Sequence, residues 1–211
     1  MGRYLGPQCR YCRAEQVQLF LKGDRCKGPN CAITKKRAAP GKSMRSRMRK
    51  VSDYGLQLRE KQKLKRMYGM LEKQFKLFFT KATRMKGVTG ENLIRLLERR
   101  LDSVVYRMRF SSSRKQARQF VLHGHILVNG RRVNVPSYQV RVNDKIEVAE
   151  RSKKILVIKE SLKEYSRSGV VPWIEVDADN LSGVFKAIPG RNDVVDLSDI
   201  KEQLIVELYS K

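Results

Sequence analysis

Long apolar runs are missing from this chain: nowhere does one approach the roughly 20 residues that a membrane-spanning helix needs, so a membrane is not the expected partner. The opening residues carry no secretory pattern, and a soluble cytosolic protein is expected. Aromatic residues are sparse, at 8% with a single tryptophan. That argues against a sheet reading single-stranded bases by stacking, and for recognition of folded RNA or duplex shape. Histidine occurs only as His123 and His125, on either side of Gly124; there they are better read as structural or RNA-contacting than as general bases. No Gly-rich phosphate loop and no nucleophile-base pair is visible, so a small-molecule substrate is not expected. Acidic residues are also few, 21 against 46 Lys and Arg, which leaves a formal charge of +25. So large a field destabilises a free compact protein and implies a polyanion bound by counterion release.

The charge is uneven. Residues 1–50 hold fourteen Lys and Arg against Glu15 and Asp24, whereas residues 170–211 hold four against eight acids. An anionic partner is expected for the first end and protein for the second. Hydrophobic content of 41% suffices for one or two modest cores.

No cysteine follows Cys31. All four lie in the first 31 residues, as Cys9-x2-Cys12 and, after 13 intervening residues, Cys26-x4-Cys31. Such spacing predicts one tetrahedral site of four thiolates, structural because no ligand position is left open. Turns at Gly6-Pro7, Gly23-Asp24 and Gly28-Pro29-Asn30 would aim backbone amides at sulfur, and Arg10, Arg13, Arg25 and Lys27 would lower the thiol pKa values. Zn2+ is expected, because it can fold a segment too poor in apolar surface to fold alone; a 4Fe-4S cluster is the alternative. Disulfides are disfavoured without a secretory pattern.

The most informative stretch is SSSRKQARQFVLHGHILVNGRRVNVPSYQVRVNDKIEV, residues 111–148. Ser112 or Ser113 is a ready N-cap and Gly124 a left-handed C-cap, with Ala117, Phe120 and Val121 facing inward between them. Arg114, Lys115, Arg118 and Gln119 fan across the other side, where Leu122 also falls. The period then changes to two. Ile126 and Val128 run into Asn129-Gly130, the strongest two-residue hairpin signal, and Val133 and Val135 follow. Asn143-Asp144 predicts a second hairpin between Val140/Val142 and Ile146/Val148. Arg131 and Arg132 are expected beside the helix's basic stripe. Guanidiniums without acidic partners repel one another unless phosphate neutralises them.

Before this stretch, KKRAAPGKSMRSRMRK (35–50) can bury no core and reads as a basic arm ordered by RNA. Between 59 and 84, Leu64, Met67, Tyr68, Leu71, Phe75 and Phe78 predict a helix with a continuous apolar stripe. Gly69 interrupts it at about 1 kcal/mol and admits close helix packing or RNA approach. A further helix from Thr89 has Leu93, Leu96, Leu97, Leu101, Val104, Val105 and Met108 inside. On its outer side Arg95 with Glu98 and Arg99 with Asp102 read equally as salt bridges or as RNA contacts, while Arg107 and Arg109 read as unpaired and aimed at phosphate. Ile155–Ile158 looks strand-like, and Val170, Val171, Pro172 and Trp173 fall in a loop. A terminal helix with a capping box of Asp199 and Glu202, and Ile200, Leu204 and Leu208 on one side, would cover the 59–84 stripe.

The expected class is α+β. An N-terminal metal-bound segment with its basic arm (1–50) precedes a mainly helical domain (51–90, completed by 198–211). Into this is inserted a small α/β RNA-binding domain (91–175) of two helices and an antiparallel or mixed sheet, with a connecting segment at 176–197. Candidate RNA contacts are Arg45, Arg47, Arg49, Lys50, Lys61, Lys63, Lys65, Arg66, Arg107, Arg109, Arg114, Lys115, Arg118, Gln119, His123, Arg131 and Arg132.

Three motifs in order, QLREKQKLKRMYGMLEKQF, ERRLDSVVYRM and SRKQARQFVLHGHILVNGRRVNVPS, resemble the bacterial ribosomal protein S four family of the small subunit, and the likeness covers essentially the whole chain. The cysteines are similar to those of the family's metal-binding subset. The resemblance implies a cytoplasmic, ribosome-bound structural protein, not an enzyme, that binds small-subunit ribosomal RNA and nucleates assembly of the subunit body. It also implies contact with ribosomal protein S five and other small-subunit proteins, an influence on translational accuracy, and a place at the channel through which messenger RNA enters. It puts the RNA surface on Arg114, Lys115, Arg118, Arg107, His123 and the Lys61 to Arg66 stretch. Two other classes compete. An RNA-modifying enzyme carrying the same module would need a catalytic domain, and only about 60 residues follow. A zinc-dependent DNA-binding regulator would need a recognition helix and a dimer seam, and neither is visible.

Overall fold

The computed structural model describes residues 3–41, 43, 50–163 and 171–210. Arg45, Arg47, Arg49 and Val170 lie outside the described residues. The chain forms two units, 1–93 with 196–211 and 94–195.

The first unit is helical. Two short helices, α1 (Cys9–Glu15) and α2 (Asp24–Lys27), precede α3 (Asp53–Met67), whose N-cap Ser52 accepts a hydrogen bond from the Gly55 amide at 3.2 Å. The stripe expected to run unbroken from 59 to 84 is instead divided. After α3 the chain turns at Gly69, with φ +61°, and restarts as α4 (Glu72–Thr83). Leu64 and Phe75 are fully buried on the two sides of this turn, while Leu71 is largely exposed. Helical periodicity survives such a break because a tight turn can return the apolar faces to one core. The final helix, here α9 (Glu202–Ser210), packs on α3 as its amphipathic pattern requires. Gln57 donates to Glu207 at 2.9 Å, and the Tyr209 ring stacks 4.4 Å from Phe79. Its expected capping box does not form. The helix begins at Glu202 itself, and the Lys201 amide donates to the Glu60 carboxylate at 3.2 Å.

The second unit is α/β. The run expected as one helix from Thr89 is two, α5 (Thr89–Glu98), of which Ile94 onward belongs to this unit, and α6 (Leu101–Arg107), parted at Arg100, whose backbone is extended and bridges to Gln139. The basic helix α7 (Arg114–Leu122) follows, N-capped by Ser113. Strands β1 (Ile126–Val128), β2 (Arg131–Arg132) and β3 (Lys145–Val148) come next. Asn129 and Gly130, at φ +50° and +75°, make the tight turn between β1 and β2. The Asn143 turn exists, but no second hairpin spans it. Val140 and Val142 form no strand, and β3 pairs with β1, Ile126 opposite Val148 and Val128 opposite Ile146. These four side chains share the buried face.

Ile155–Ile158 is not a strand: Leu156–Lys163 is a helix, α8, burying Ile158, Ser161 and Leu162 at i, i+3 and i+4. Nor is 176–197 merely a connection. Strands β4 (Ile174–Asp177) and β5 (Ser182–Phe185) form a hairpin that extends the antiparallel sheet, giving the order β2-β1-β3-β5-β4. Trp173, Ile174 and Phe185 are buried with it. Among the described residues, no helix is long and apolar enough to cross a membrane.

Candidate nucleic-acid interface

Among the exposed cations of the second unit, Arg132 lies at the C-terminal end of α7 and Lys115 at its start. Lys115, Gln119 and His123 face solvent along it, spaced i, i+4 and i+8, with His123 at the C-cap. The hairpin turn presents Arg131 and Arg132, both exposed, from the sheet edge. Arg132 reaches back over the end of the helix: a Cβ placed on Gly124 would lie 2.8 Å from its Cδ. A cation there is favoured by the carbonyl end of the helix dipole. His123 and Arg132 therefore bring donors and positive charge to this end of the helix, with Leu122 exposed beside them, while Lys115 and Gln119 continue the polar face along it. His125, by contrast, turns inward. It lies 2.8 Å from the Ser152 hydroxyl and edge-on to Phe120, and burial, with His123 and Arg151 nearby, lowers its pKa.

Other expected contacts are held by buried acids. Arg107, expected to be unpaired, is 8% exposed and binds Glu98 in bidentate fashion at 2.9 and 2.8 Å. Arg114 comes within 3.4 Å of the same carboxylate and lies 4.6 Å over the Tyr106 ring. Asp102, expected to pair with Arg99, is instead bound by the buried Arg100 at 3.0 and 2.6 Å, with Arg118 at 3.4 Å. Arg99 donates to the Val140 carbonyl at 3.0 Å. Two buried carboxylates thus orient four guanidiniums, whose planar forks suit shared carboxylates. The central role of Glu98 and Asp102 is not apparent from sequence, although Glu98 carries a signal: it stands four after Ile94 and three before Leu101, on the apolar side of the run. Arg109 is half-buried, with φ +61°.

In the helical unit the expected basic face is similarly engaged. Lys61 and Lys65 each reach Glu72 at 2.7 Å, Lys63 reaches Glu60 at 2.5 Å, and Arg66 pairs with the buried Glu15, as does Arg59 at 3.3 Å. Burial nevertheless raises the Glu15 pKa. Lys50 is exposed.

The metal expectation is overturned. Cys9, Cys12, Cys26 and Cys31 are free thiols, and among the described residues no group of three or more His, Cys, Asp or Glu side chains is arranged to hold a metal ion, zinc or an iron-sulfur cluster alike. The sulfurs of Cys26 and Cys31 instead find donors within the protein. The Lys22 amide donates to Cys26 at 3.3 Å and Gln18 to Cys31 at 3.5 Å. Burial, the largest effect, pushes the Cys12 and Cys26 thiols up, against the expectation that basic neighbours would ionise them. At Cys31 burial is outweighed by hydrogen bonds from the Thr34 and Ile33 amides and the Gln18 side chain, which bring its pKa down.

Residues 3–98 match the family described as ribosomal protein S4/S9 N-terminal domain, and residues 99–146 match the S4 domain. The chain is 56% identical to the small ribosomal subunit protein uS4 of Syntrophotalea carbinolica and 54% identical to that of Trichlorobacter lovleyi, over 211 residues and the full length of each. The chain belongs to the small ribosomal subunit protein uS4 family. The S4 domain match takes in the break at Arg100, α7, the first hairpin and the start of β3, so it covers both the exposed cations and most of their buried support. The hairpin of β4 and β5 lies beyond it.

Proposed function

We infer that this protein is a structural component of the small ribosomal subunit, in the cytoplasm, that binds ribosomal RNA by charge and shape and catalyses no reaction. One observation carries the reading: a chain of charge +25 is alike over its full length to proteins named for that subunit. The geometry agrees. Acids at the heart of each unit, Glu15, Glu98 and Asp102, are matched internally, which leaves the positive surplus to the surface. The proposed binding surface is Lys115, Gln119, His123, Arg131 and Arg132, with Arg109 a further candidate contact and Arg107, Arg114 and Arg118 held on their carboxylates. In the helical unit Lys50, Lys61, Lys63, Lys65 and Arg66 form the second, and Arg45, Arg47 and Arg49, outside the described residues, are further candidate contacts. Two basic bodies on one chain suit an RNA junction, and so suit nucleation of the subunit body.

Contact with ribosomal protein S five, and through it an effect on accuracy, is supported by the excess of acids in residues 170–211; a place where messenger RNA enters is supported by the exposed arginines of β2. Filter binding to small-subunit ribosomal RNA across a salt series tests the central reading. Reversing Lys115, Arg131 and Arg132 to Glu spares the buried network. It should weaken binding and reduce the slope of log K against log salt by roughly 0.7–0.9 for each phosphate no longer neutralised. An unchanged slope in a folded variant would remove this surface from the reading.

A further inference from the structure

The S4 surface leaves a second feature unexplained. Within the helical unit, α1, α3 and the segment around Ala39 and Pro40 enclose a cleft of about 710 Å³. Its walls combine two kinds of group. Tyr4 and Tyr11 stand with ring centroids 4.5 Å apart and planes inclined at 38°, and both line the cleft. Arg10, Arg59 and Arg66 line it too. Arg66 lies 4.5 Å over the Tyr11 ring while paired with Glu15, which fixes ring and guanidinium together. Glu15 is buried behind these arginines, with its side chain 0% exposed, and among the described residues no acid lines the cleft. Arg10 is exposed at its rim.

Aromatic faces inside a cleft with arginines around them are the groups that receive an unstacked nucleobase and its phosphate: rings are indifferent to base identity, and guanidiniums bind the backbone. A protein side chain would need an acidic end to suit the arginines and would gain little from paired rings. We propose that this cleft takes one extruded nucleotide of the ribosomal RNA, its base against the Tyr4–Tyr11 pair and its phosphate at Arg10. The proposal rests on the ribosomal RNA reading above and adds a base contact to the phosphate contacts proposed for the helical unit's lysines.

The full chain bound to small-subunit ribosomal RNA is irradiated at short ultraviolet wavelength, and crosslinked peptides are identified by mass spectrometry. A nucleotide adduct at Tyr4 or Tyr11 is expected. In parallel, Tyr4→Leu should weaken binding about tenfold while Tyr4→Phe, which keeps the ring, binds as the parent does. Arg10→Ala, on the surface and outside the core, should lower the salt slope by roughly 0.7–0.9, the share of a single phosphate. If the chain binds this RNA with parent-like affinity in both Tyr4→Leu and Arg10→Ala and no adduct forms in the cleft, the cleft proposal fails and the ribosomal reading stands. Adducts from Tyr4 to protein in assembled subunits would overturn it equally. Failure of the parent chain to bind the RNA at all would instead strike the ribosomal reading beneath it.

Discussion

Each unit takes a long apolar stripe and breaks it into two helices, and the two breaks are built from different materials. In the helical unit the chain turns at Gly69, in the left-handed region, and the following helix is tied back through Glu72 to Lys61 and Lys65 on the helix before, in partly solvated pairs. In the S4 unit the break falls at Arg100, in ordinary extended backbone, and is held by Asp102, bound by Arg100 and Arg118 out of water. A wet break relies on what one residue's backbone can adopt, with ammonium groups as accessories. A dry one relies on the fork of guanidinium on carboxylate, because a buried charge must be matched on every side. The dry break also holds α7, because Arg118 of that helix reaches Asp102.

If that contrast is right, the most damaging single substitution falls at the dry break. Asp102→Ala leaves Arg100 and Arg118 buried around a missing carboxylate and should destabilise the S4 unit by about 3–5 kcal/mol. Denaturant unfolding checks it. A loss under about 1 kcal/mol would mean the arginines find water, and the break would then be no drier than the other.

Next comes the wet break itself. Gly69 sits at φ +61° with open space where a Cβ would go, so Gly69→Ala meets no clash and carries only the backbone strain of the left-handed region, about 1–2 kcal/mol. The same unfolding measurement should show that cost in the helical unit. Stabilisation instead would mean the two helices prefer to fuse, as the unbroken stripe implies.

That stripe shows where sequence stops being informative. The S4 helix is legible because its signals are local: Ser113 caps, Ala117 and Val121 point in, and Asn129-Gly130 closes a hairpin. Helix breaks are not, because 3.6-residue periodicity is kept across a turn that folds two apolar faces into one core. At Arg100 the deciding contacts come from Gln139 and Arg118, far along the chain. The start of α8 imitates a strand because Ile155–Ile158 is short and apolar; Ser161 and Leu162, just beyond, complete the helical period. The place of the β4–β5 hairpin in the sheet carries no local signal, since β3, which pairs with β5, lies 35–39 residues earlier. Among the candidate contacts, the exposure of Lys115, His123, Arg131 and Arg132 is legible from type and position. The pairing of Arg107 is not, because Glu98 meets it only once the helix has broken between them. Cysteine spacing misleads, since it says nothing of where the turns carry each sulfur.

The smallest effect separates the two breaks by pH. Burial alone would push the Glu72 carboxyl up, but hydrogen bonds from Lys61, Lys65 and Tyr209 outweigh it and bring the pKa from its ordinary 4.5 down to about 2. A depressed carboxylate contributes stability above its unfolded value, and that contribution is lost as pH falls through roughly 4.5 toward 2. Because the Glu72 side chain is 46% exposed, water and salt screen the cluster, and Glu72→Gln should cost no more than about 1 kcal/mol at neutral pH. The variant should also flatten the acid limb of the stability curve in that window, and added salt should shrink the difference between the two proteins. A cost that ignores salt would show the Glu72 cluster to be as dry as the one at Asp102, and the distinction between the two breaks would collapse.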